Sequence, residues 1–142
     1  MNEQIKPPAI KTILAVDDDQ VILSALTLML QSQGYRILTA VSGGEILPIA
    51  RKEKLDLILI DLSFPPDDTN IGSPLHDGFF VIEWLRRTAE AEKIPIVIIS
   101  GTDPAKYRDR AAAARVVACL QKPLKKEEVL AAIEKALFSS PA

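Results

Sequence analysis

The chain has 142 residues, of which 48% are hydrophobic and 25% are charged, and its formal net charge is −2. This length suits one domain with a single core, and the near-neutral charge argues against a nucleic-acid-binding surface or a polybasic membrane patch. One cysteine, Cys119, excludes an intrachain disulfide, and residues 1–11 lack the apolar core of a secretion signal, so we expect a cytoplasmic protein.

Short apolar runs alternate with amphipathic stretches along the whole chain. The runs predict strands at residues 12–16, 36–40, 56–60, 94–99 and 116–120, and the stretches predict helices at residues 20–33, 43–52, 77–90, 103–114 and 125–137. Four runs are almost continuously apolar, as in strands buried on both faces, whereas residues 36–40 suit a sheet edge. This order predicts an α/β domain with a parallel sheet, helices on both faces and right-handed crossovers.

Local signals mark several helix ends. Gly34 suits the position just after the first helix, and Ser42 with Glu45 has the spacing of a capping box before the second. Pro48 should kink or shorten that second helix. The pair Arg86–Arg87 is interpreted as part of a solvated helix face, as is Lys125–Lys126. We expect residues 1–11 and 139–142 to be tails around one domain at residues 12–138.

Polar residues follow four of the five predicted strands. They are Asp17 and Asp18 after the first strand, Asp61 after the third, Ser100 after the fourth and Lys122 after the fifth. In an open parallel sheet these positions meet at one edge, where ligands bind. Gathered carboxylates repel one another, and Mg²⁺ relieves that repulsion. Together with a lysine and a hydroxyl they would cradle a phosphoryl group, with one carboxylate as nucleophile.

Four segments at these strand ends resemble the motifs of response-regulator receiver domains. They read ILAVDDDQ at residues 13–20, DLILIDLSFP at 56–65, IPIVIIS at 94–100 and LQKPL at 120–124. The resemblance covers residues 12–138 and depends on the ordered set, because each motif falls after the expected strand. It implies a flavodoxin-like, doubly wound fold with strand order 2-1-3-4-5, and a single-domain receiver of a two-component or phosphorelay system.

The resemblance also implies a role for each residue at the strand ends. Asp61 would be the phosphoacceptor, Lys122 would pair with it and then with the phosphoryl group, and Ser100 would hydrogen-bond a phosphoryl oxygen. The Mg²⁺ ligands would be Asp17, Asp18, Asp61 and the backbone carbonyl of Ser63. The Lys122–Pro123 peptide bond would be cis. Ser63 and Thr102, two positions after Asp61 and Ser100, would influence the attack of water on the phosphoryl group.

Three features depart from the family pattern. Cys119 stands where many members carry Tyr or Phe, the switch aromatic, so we expect a muted conformational switch through the last two helices. Arg115 replaces a common glycine before the last strand. Residues 66–77, which contain the only histidine, His76, form a longer connection than usual, and we expect it to overhang the phosphorylation site and respond to its occupancy.

The function implied is a signalling switch rather than an enzyme. A phosphohistidine on a histidine kinase or phosphotransfer protein would donate to Asp61, and output would run through contacts with an unidentified downstream protein. We expect no direct contact with nucleic acid or membrane, and leave a homodimer open. The resemblance names neither the kinase nor the input signal.

Two alternatives carry less weight. Residues 17–21 also match the D-x-D-x-[TV] pattern of haloacid-dehalogenase-like phosphatases, with Asp17 as nucleophile and Asp19 as acid/base. The chain is short for that family, and we expect no late carboxylate pair after Lys122 to complete its Mg²⁺ site. The simpler interpretation of Asp19 is an N-cap. The other alternative is a receiver that serves only as a binding scaffold and is never phosphorylated.

Overall fold

Five parallel strands and five helices alternate along residues 9–62 and 78–138, the part of the chain that the computed structural model describes. In chain order they are β1 (Thr12–Val16), α1 (Gln20–Gln31), β2 (Arg36–Ala40), α2 (Ile46–Lys52), β3 (Leu57–Asp61), α3 (Gly78–Leu85), β4 (Ile96–Ser100), α4 (Arg108–Ala113), β5 (Ala118–Gln121) and α5 (Lys126–Phe138). The predicted alternation is thus confirmed, with strand bounds that differ from the predictions by no more than two residues at either end.

The strands form one sheet in the order β2-β1-β3-β4-β5, with every neighbouring pair parallel. This is the flavodoxin-like order predicted from the resemblance, and it places the mixed strand β2 at an edge as expected. The register pairs Val16 with Ile60 and Asp61 with Ile99. The carboxyl ends of β1, β3 and β4 therefore lie side by side at one edge of the sheet.

A separate apolar core lies on each face of the sheet, because successive side chains of a strand point to opposite faces. One core packs the strand residues Leu14, Ile58 and Ile98 against α2, α3 and α4. The other packs Ile13 and Leu57, with further strand residues, against α1 and α5. Each fully buried Leu, Ile or Phe contributes about 1.5–3 kcal/mol relative to an exposed one, so both cores stabilise the packing of the helices on the sheet.

The first helix begins at the predicted residue and ends at Gln31, two residues before the predicted end. The Asp19 carboxylate caps the helix by accepting hydrogen bonds from the N–H groups of Val21 at 2.9 Å and Ile22 at 3.4 Å. At the other end the chain turns at Gly34, whose φ of +90° is readily adopted only by glycine. The N-cap interpretation of Asp19 is therefore confirmed.

The second helix is shorter than predicted, and Pro48 explains why. A 3₁₀ turn occupies residues 43–45, and α2 starts at Ile46, so Pro48 falls in the first turn, where a backbone N–H has no helical partner to lose. The predicted capping box does not form, because Ser42 caps no N–H and the Glu45 carboxylate accepts instead from the Val41 N–H at 3.0 Å and the Ser42 hydroxyl at 3.1 Å.

The third helix ends at Leu85, five residues before the predicted end, and Arg86 accounts for the difference. Its guanidinium donates to the carbonyls of Ala114 at 2.7 Å, Ile94 at 2.8 Å and Glu92 at 3.1 Å, with longer bonds to two more carbonyls. The chain after α3 wraps around this half-buried side chain instead of continuing as a helix. The prediction that Arg86 lies on a solvated face is wrong, whereas Arg87 is exposed as expected.

Arg115, just before β5, has a φ of +57°, the left-handed conformation that explains why glycine is common there. None of the helices in residues 9–62 and 78–138 combines the length and the apolar character needed to cross a membrane.

Candidate functional site

Three carboxylates meet at the carboxyl edge of the sheet. Asp17 directly follows β1, and Asp61 is the last residue of the neighbouring strand β3. Asp17, Asp18 and Asp61 each offer a carboxylate oxygen, and these oxygens lie within 4.8 Å of one another. Asp17 is 3% exposed, whereas Asp18 is open to solvent. The predicted gathering of acidic groups at this edge is therefore observed.

Lys122 brings the compensating charge to this cluster. Its ammonium nitrogen Nζ lies 3.1 Å from Asp61 Oδ1 and 3.2 Å from Asp17 Oδ2. The backbone holds the lysine in place, because the Lys122 N–H donates to the Ser100 carbonyl at 2.8 Å. The Lys122–Pro123 peptide bond is cis, as predicted. One cation thus bridges two carboxylates from neighbouring strands.

The electrostatics of the cluster favour a cation. Burial raises the pKa of Asp17 above its usual 3.8, and the negative charge of Asp61 adds to the rise, although the Asp19 N–H and Lys122 oppose it. Burial alone would lower the pKa of Lys122, but its contacts with Asp61 and Asp17 outweigh burial and raise that pKa. Lys122 therefore stays protonated, and ionised Asp17 is left under-compensated by its surroundings.

A hard divalent cation fits this arrangement. Mg²⁺ takes oxygen ligands, and usually binds one or two carboxylates together with waters and phosphate oxygens. The exposed Asp18 and the partly exposed Asp61 leave one side of the cluster open to solvent, where such ligands could enter. Ser63, the remaining predicted ligand, lies outside the described residues, as does the predicted overhanging connection at residues 66–77.

Ser100 lies beside the cluster as the last residue of β4. Its side chain is fully buried, and its Oγ accepts a hydrogen bond from the Thr102 N–H at 3.0 Å. The register pairs its neighbour Ile99 with Asp61, so both strand ends reach the same edge. The structure thus places a hydroxyl next to the carboxylates, as the sequence predicts, and its role towards a phosphoryl group stays a prediction.

A residue that the sequence did not single out, Tyr107, lies behind Ser100. It ends a 3₁₀ turn at Pro104–Tyr107 and is 5% exposed. Burial raises its pKa to about 12, the neighbouring Cys119 adds to that rise, and the Ser100 side chain opposes it. The spacing of Tyr107 from the buried Ala111 and Ala114 is that of one helix face, which is the signal that could have found it.

Cys119 is a partly buried residue that packs against the core on the α3 and α4 side. Burial raises the pKa of its thiol, and Tyr107 lies close enough to oppose that rise. A thiol with a raised pKa is a poor nucleophile at neutral pH. Its predicted part in a muted switch is not tested by its position.

The residues that the phosphatase alternative requires do not come together. Asp19 lies outside the carboxylate cluster and caps α1 instead. A carboxylate pair does follow Lys122, contrary to the expectation, but Glu127 and Glu128 are exposed in the first turn of α5. Neither belongs to the group of acidic side chains found within metal-binding distance in the described residues.

Comparison with known proteins agrees with this geometry. A family profile described as response regulator receiver domain matches residues 13–134. Protein PilH of Pseudomonas aeruginosa is 34% identical over 91 residues, covering 64% of this chain and 68% of PilH. The transcriptional regulatory protein AfsQ1 of Streptomyces coelicolor is 35% identical over 89 residues, covering 63% of this chain but only 34% of AfsQ1. The solved chemotaxis protein CheY4 of Vibrio cholerae superposes with a TM-score of 0.77 at 26% identity, covering 91% of this chain and 100% of CheY4.

Proposed function

The chain belongs to the response regulator receiver domain family, and from this premise we propose that it is phosphorylated on Asp61 with the help of Mg²⁺. The observation that carries this proposal is the ion pair of 3.1 Å between Lys122 and Asp61 at the open side of the carboxylate cluster. A nucleophilic carboxylate needs a nearby positive charge to offset the negative charge of the incoming phosphoryl group.

The reaction is a transfer of one phosphoryl group between two side chains. A carboxylate oxygen of Asp61 attacks phosphorus, the bond from phosphorus to the donor imidazole nitrogen breaks, and the imidazole leaves with that electron pair. The product is an acyl phosphate on Asp61, and nothing is oxidised or reduced. Because little covalent chemistry is needed, the protein contributes mainly positioning and charge.

The remaining site residues take roles that follow from their positions. Asp17, Asp18 and Asp61 would hold Mg²⁺, which neutralises charge on the phosphoryl oxygens, and the carbonyl of Ser63 would complete the protein ligands. Lys122 keeps its proton because of its acidic neighbours, so it can follow the negative charge from the carboxylate to the phosphoryl group. Ser100 would donate its hydroxyl proton to a phosphoryl oxygen.

We further propose a histidine kinase or a histidine phosphotransfer protein as the donor, in the cytoplasm. Output would run through contacts with a downstream protein, with no direct contact to nucleic acid or membrane by the described domain. A second copy of the chain is an additional candidate partner. The relatives differ in length, since PilH is matched over 68% and AfsQ1 over 34%, so they do not define one shared output.

Intact mass measurement after incubation with acetyl phosphate and Mg²⁺ tests the proposal. We expect one phosphoryl group on the unmodified sequence and none on Asp61→Asn, which is nearly isosteric. Asp18→Asn is the matched control, because it should weaken Mg²⁺ binding and slow the reaction while leaving the acceptor in place. A covalent product that persists in Asp61→Asn and disappears in Asp17→Asn would instead support the phosphatase alternative, and no product at all would support the scaffold.

A further inference from the structure

An open cavity of about 460 Å³ lies at the edge of the sheet opposite to the carboxylate cluster. Its apolar wall is formed by Pro95 and Val117, the residues directly before β4 and β5. The other lining residues are charged, and they are Glu92, Lys93 and Arg115. Since β4 has five residues, its start lies roughly 15 Å from its carboxyl end. The cavity is therefore separate from the proposed phosphorylation site.

Arg86 fixes the walls of this cavity from behind. Its half-buried guanidinium donates to the Glu92 carbonyl at 3.1 Å and to the Ile94 carbonyl at 2.8 Å on one wall. On the other wall it donates to the carbonyls of Ala114 at 2.7 Å and Arg115 at 3.4 Å. Hydrogen bonds from one side chain thus hold together the two backbone segments that line the cavity, so its shape is already formed without a ligand.

Positive charge predominates around the cavity. Lys93 and Arg115 are exposed basic residues in its lining, against one acidic residue, Glu92. Within residues 9–62 and 78–138, neither basic side chain forms an ion pair with an acidic one. Burial lowers the pKa of Arg86, and the like charge of Arg115 lowers it further. These cations therefore repel one another, and an anion bound beside them would relieve that repulsion.

Arg115 occupies its position at a conformational cost. Its φ of +57° lies in the left-handed region, which glycine adopts readily and arginine does not. Strained residues of this kind cluster at active sites and at segments that clamp a ligand. The guanidinium also presents its N–H groups in a planar fork that matches the two oxygens of a carboxylate. The strained conformation therefore indicates a use for this side chain at the cavity.

We propose that the cavity binds a small organic carboxylate, whose charged end pairs with Arg115 and Lys93 while its apolar part lies against Pro95 and Val117. Small-molecule sites are commonly cavities of about 300–1,000 Å³ that combine apolar walls with a few polar groups. The inference goes beyond the proposed function and does not depend on it, because no phosphoryl group takes part. It gives the domain a second binding site, at the amino ends of β4 and β5.

Benzoate is a suitable probe, because it joins a carboxylate to an apolar ring, and benzamide is its neutral counterpart of nearly the same shape. The ¹⁵N-labelled chain is titrated with each compound by NMR, at constant pH and at an ionic strength held constant with sodium chloride. We expect benzoate to cause saturable shifts of the backbone amides of residues 92–94 and 115–117, with a dissociation constant of about 1–10 mM for so small a ligand. Benzamide should cause no saturable shift there at the same concentrations.

Two substitutions remove the charged partners, and each has a matched control outside the cavity. Arg115→Gly removes the guanidinium and suits the left-handed backbone, and Arg108→Gly makes the same exchange in α4. Lys93→Gln is matched by Lys135→Gln, an exposed lysine of α5. We expect Arg115→Gly and Lys93→Gln each to weaken benzoate binding about 3- to 10-fold, as for a charged hydrogen bond at a partly exposed site. The two controls should leave the affinity unchanged.

Shifts that do not saturate with benzoate, or that benzamide reproduces, would overturn the site. Equal weakening by the two variants and their controls would also overturn it, because only the net charge of the chain would then matter. Asp61→Asn, which removes the proposed phosphoacceptor, should bind benzoate with unchanged affinity. Loss of benzoate binding in Asp61→Asn would place the probe at the carboxylate cluster and refute the second site, whereas phosphorylation by acetyl phosphate is decided separately by the mass measurement.

Discussion

Asp17 is a buried carboxylate whose charge is unfavourable in the folded chain. Its pKa lies above 3.8, so the folded state holds this proton more tightly than the unfolded state does. Stability from this group is therefore lost as the pH rises from about 3.8 through the folded pKa, and the cost is fully present at neutral pH. A residue kept at such a cost serves the site rather than the fold.

Asp17→Asn should accordingly raise the free energy of unfolding by about 1 kcal/mol at neutral pH without divalent cations. The amide removes the buried charge that faces Asp61, and its oxygen can still accept from the Asp19 N–H, a bond of 2.9 Å. Urea denaturation in the presence of a chelator measures the change. Asp19→Asn is the control, because Asn caps a helix as well as Asp and should change stability by less than about 0.5 kcal/mol. A destabilised Asp17→Asn would show that the Lys122 contact outweighs burial.

The lifetime of the phosphoryl group on Asp61 also depends on single residues. Neither Ser63 nor Thr102 can offer a carboxylate or carboxamide to orient an attacking water, and such positioning can change a rate by orders of magnitude. We therefore expect slow or moderate loss of the phosphoryl group from Asp61. Following the phosphorylated mass over time at neutral pH with Mg²⁺ measures it. A half-life of seconds would contradict the expectation, and Thr102→Gln should shorten the lifetime.

At the scale of elements, Arg86 joins the end of α3 to the segment before β4 and to the C-terminal end of α4. Its half-buried guanidinium donates hydrogen bonds to five backbone carbonyls. Arg86→Met should cost about 2–3 kcal/mol, because hydrogen bonds to a charged group are lost and several carbonyls are left to find other donors. Chemical denaturation of Arg86→Met beside Arg87→Met, the exposed neighbour, checks this. Equal effects of the two changes would refute the role of Arg86.

The turn into β5 stores strain at Arg115, whose φ is +57°. A left-handed conformation costs a non-glycine residue roughly 1 kcal/mol, and Arg115 also lies near the like charge of Arg86. Arg115→Gly should therefore raise the free energy of unfolding by up to about 1 kcal/mol. Arg108→Gly, in a helical position with a φ of −54°, has no strain to relieve and should not stabilise. If both changes destabilise alike, the Arg115 side chain makes compensating contacts.

For the whole molecule, the carboxylate cluster links cation binding to folding. A ligand that binds only the folded state stabilises it by about 2.7 kcal/mol at a hundred times its dissociation constant. Mg²⁺ should therefore raise the melting temperature in a saturable manner, whereas matched ionic strength from a sodium salt should not. Asp18→Asn should reduce this gain while leaving the cation-free stability nearly unchanged, because Asp18 is exposed. A melting temperature indifferent to Mg²⁺ would count against the metal site.

Local sequence patterns were sufficient for the alternation of strands and helices and for the residues at the strand ends, whereas the strand order was predicted from the family resemblance. Buried parallel strands leave continuous apolar runs, and their carboxyl ends place Asp17, Asp61 and Lys122 without knowledge of any contact. Arg86 and Tyr107 could not be placed in the same way, because their partners come from other elements. The domain limits at residues 12 and 138 and the roles of Ser63 and of residues 66–77 stay predictions.

The two cores on opposite faces of the sheet have a consequence for the evolutionary history of such a domain. The core against α1 and α5 shares no buried side chain with the core against α2, α3 and α4. Substitutions in the helix residues of one core should accumulate with little effect on what the other core tolerates, because the sheet separates these helices. One face can then diverge towards new partners while the opposite face keeps its packing, so relatives with the same phosphorylation site can bind different proteins.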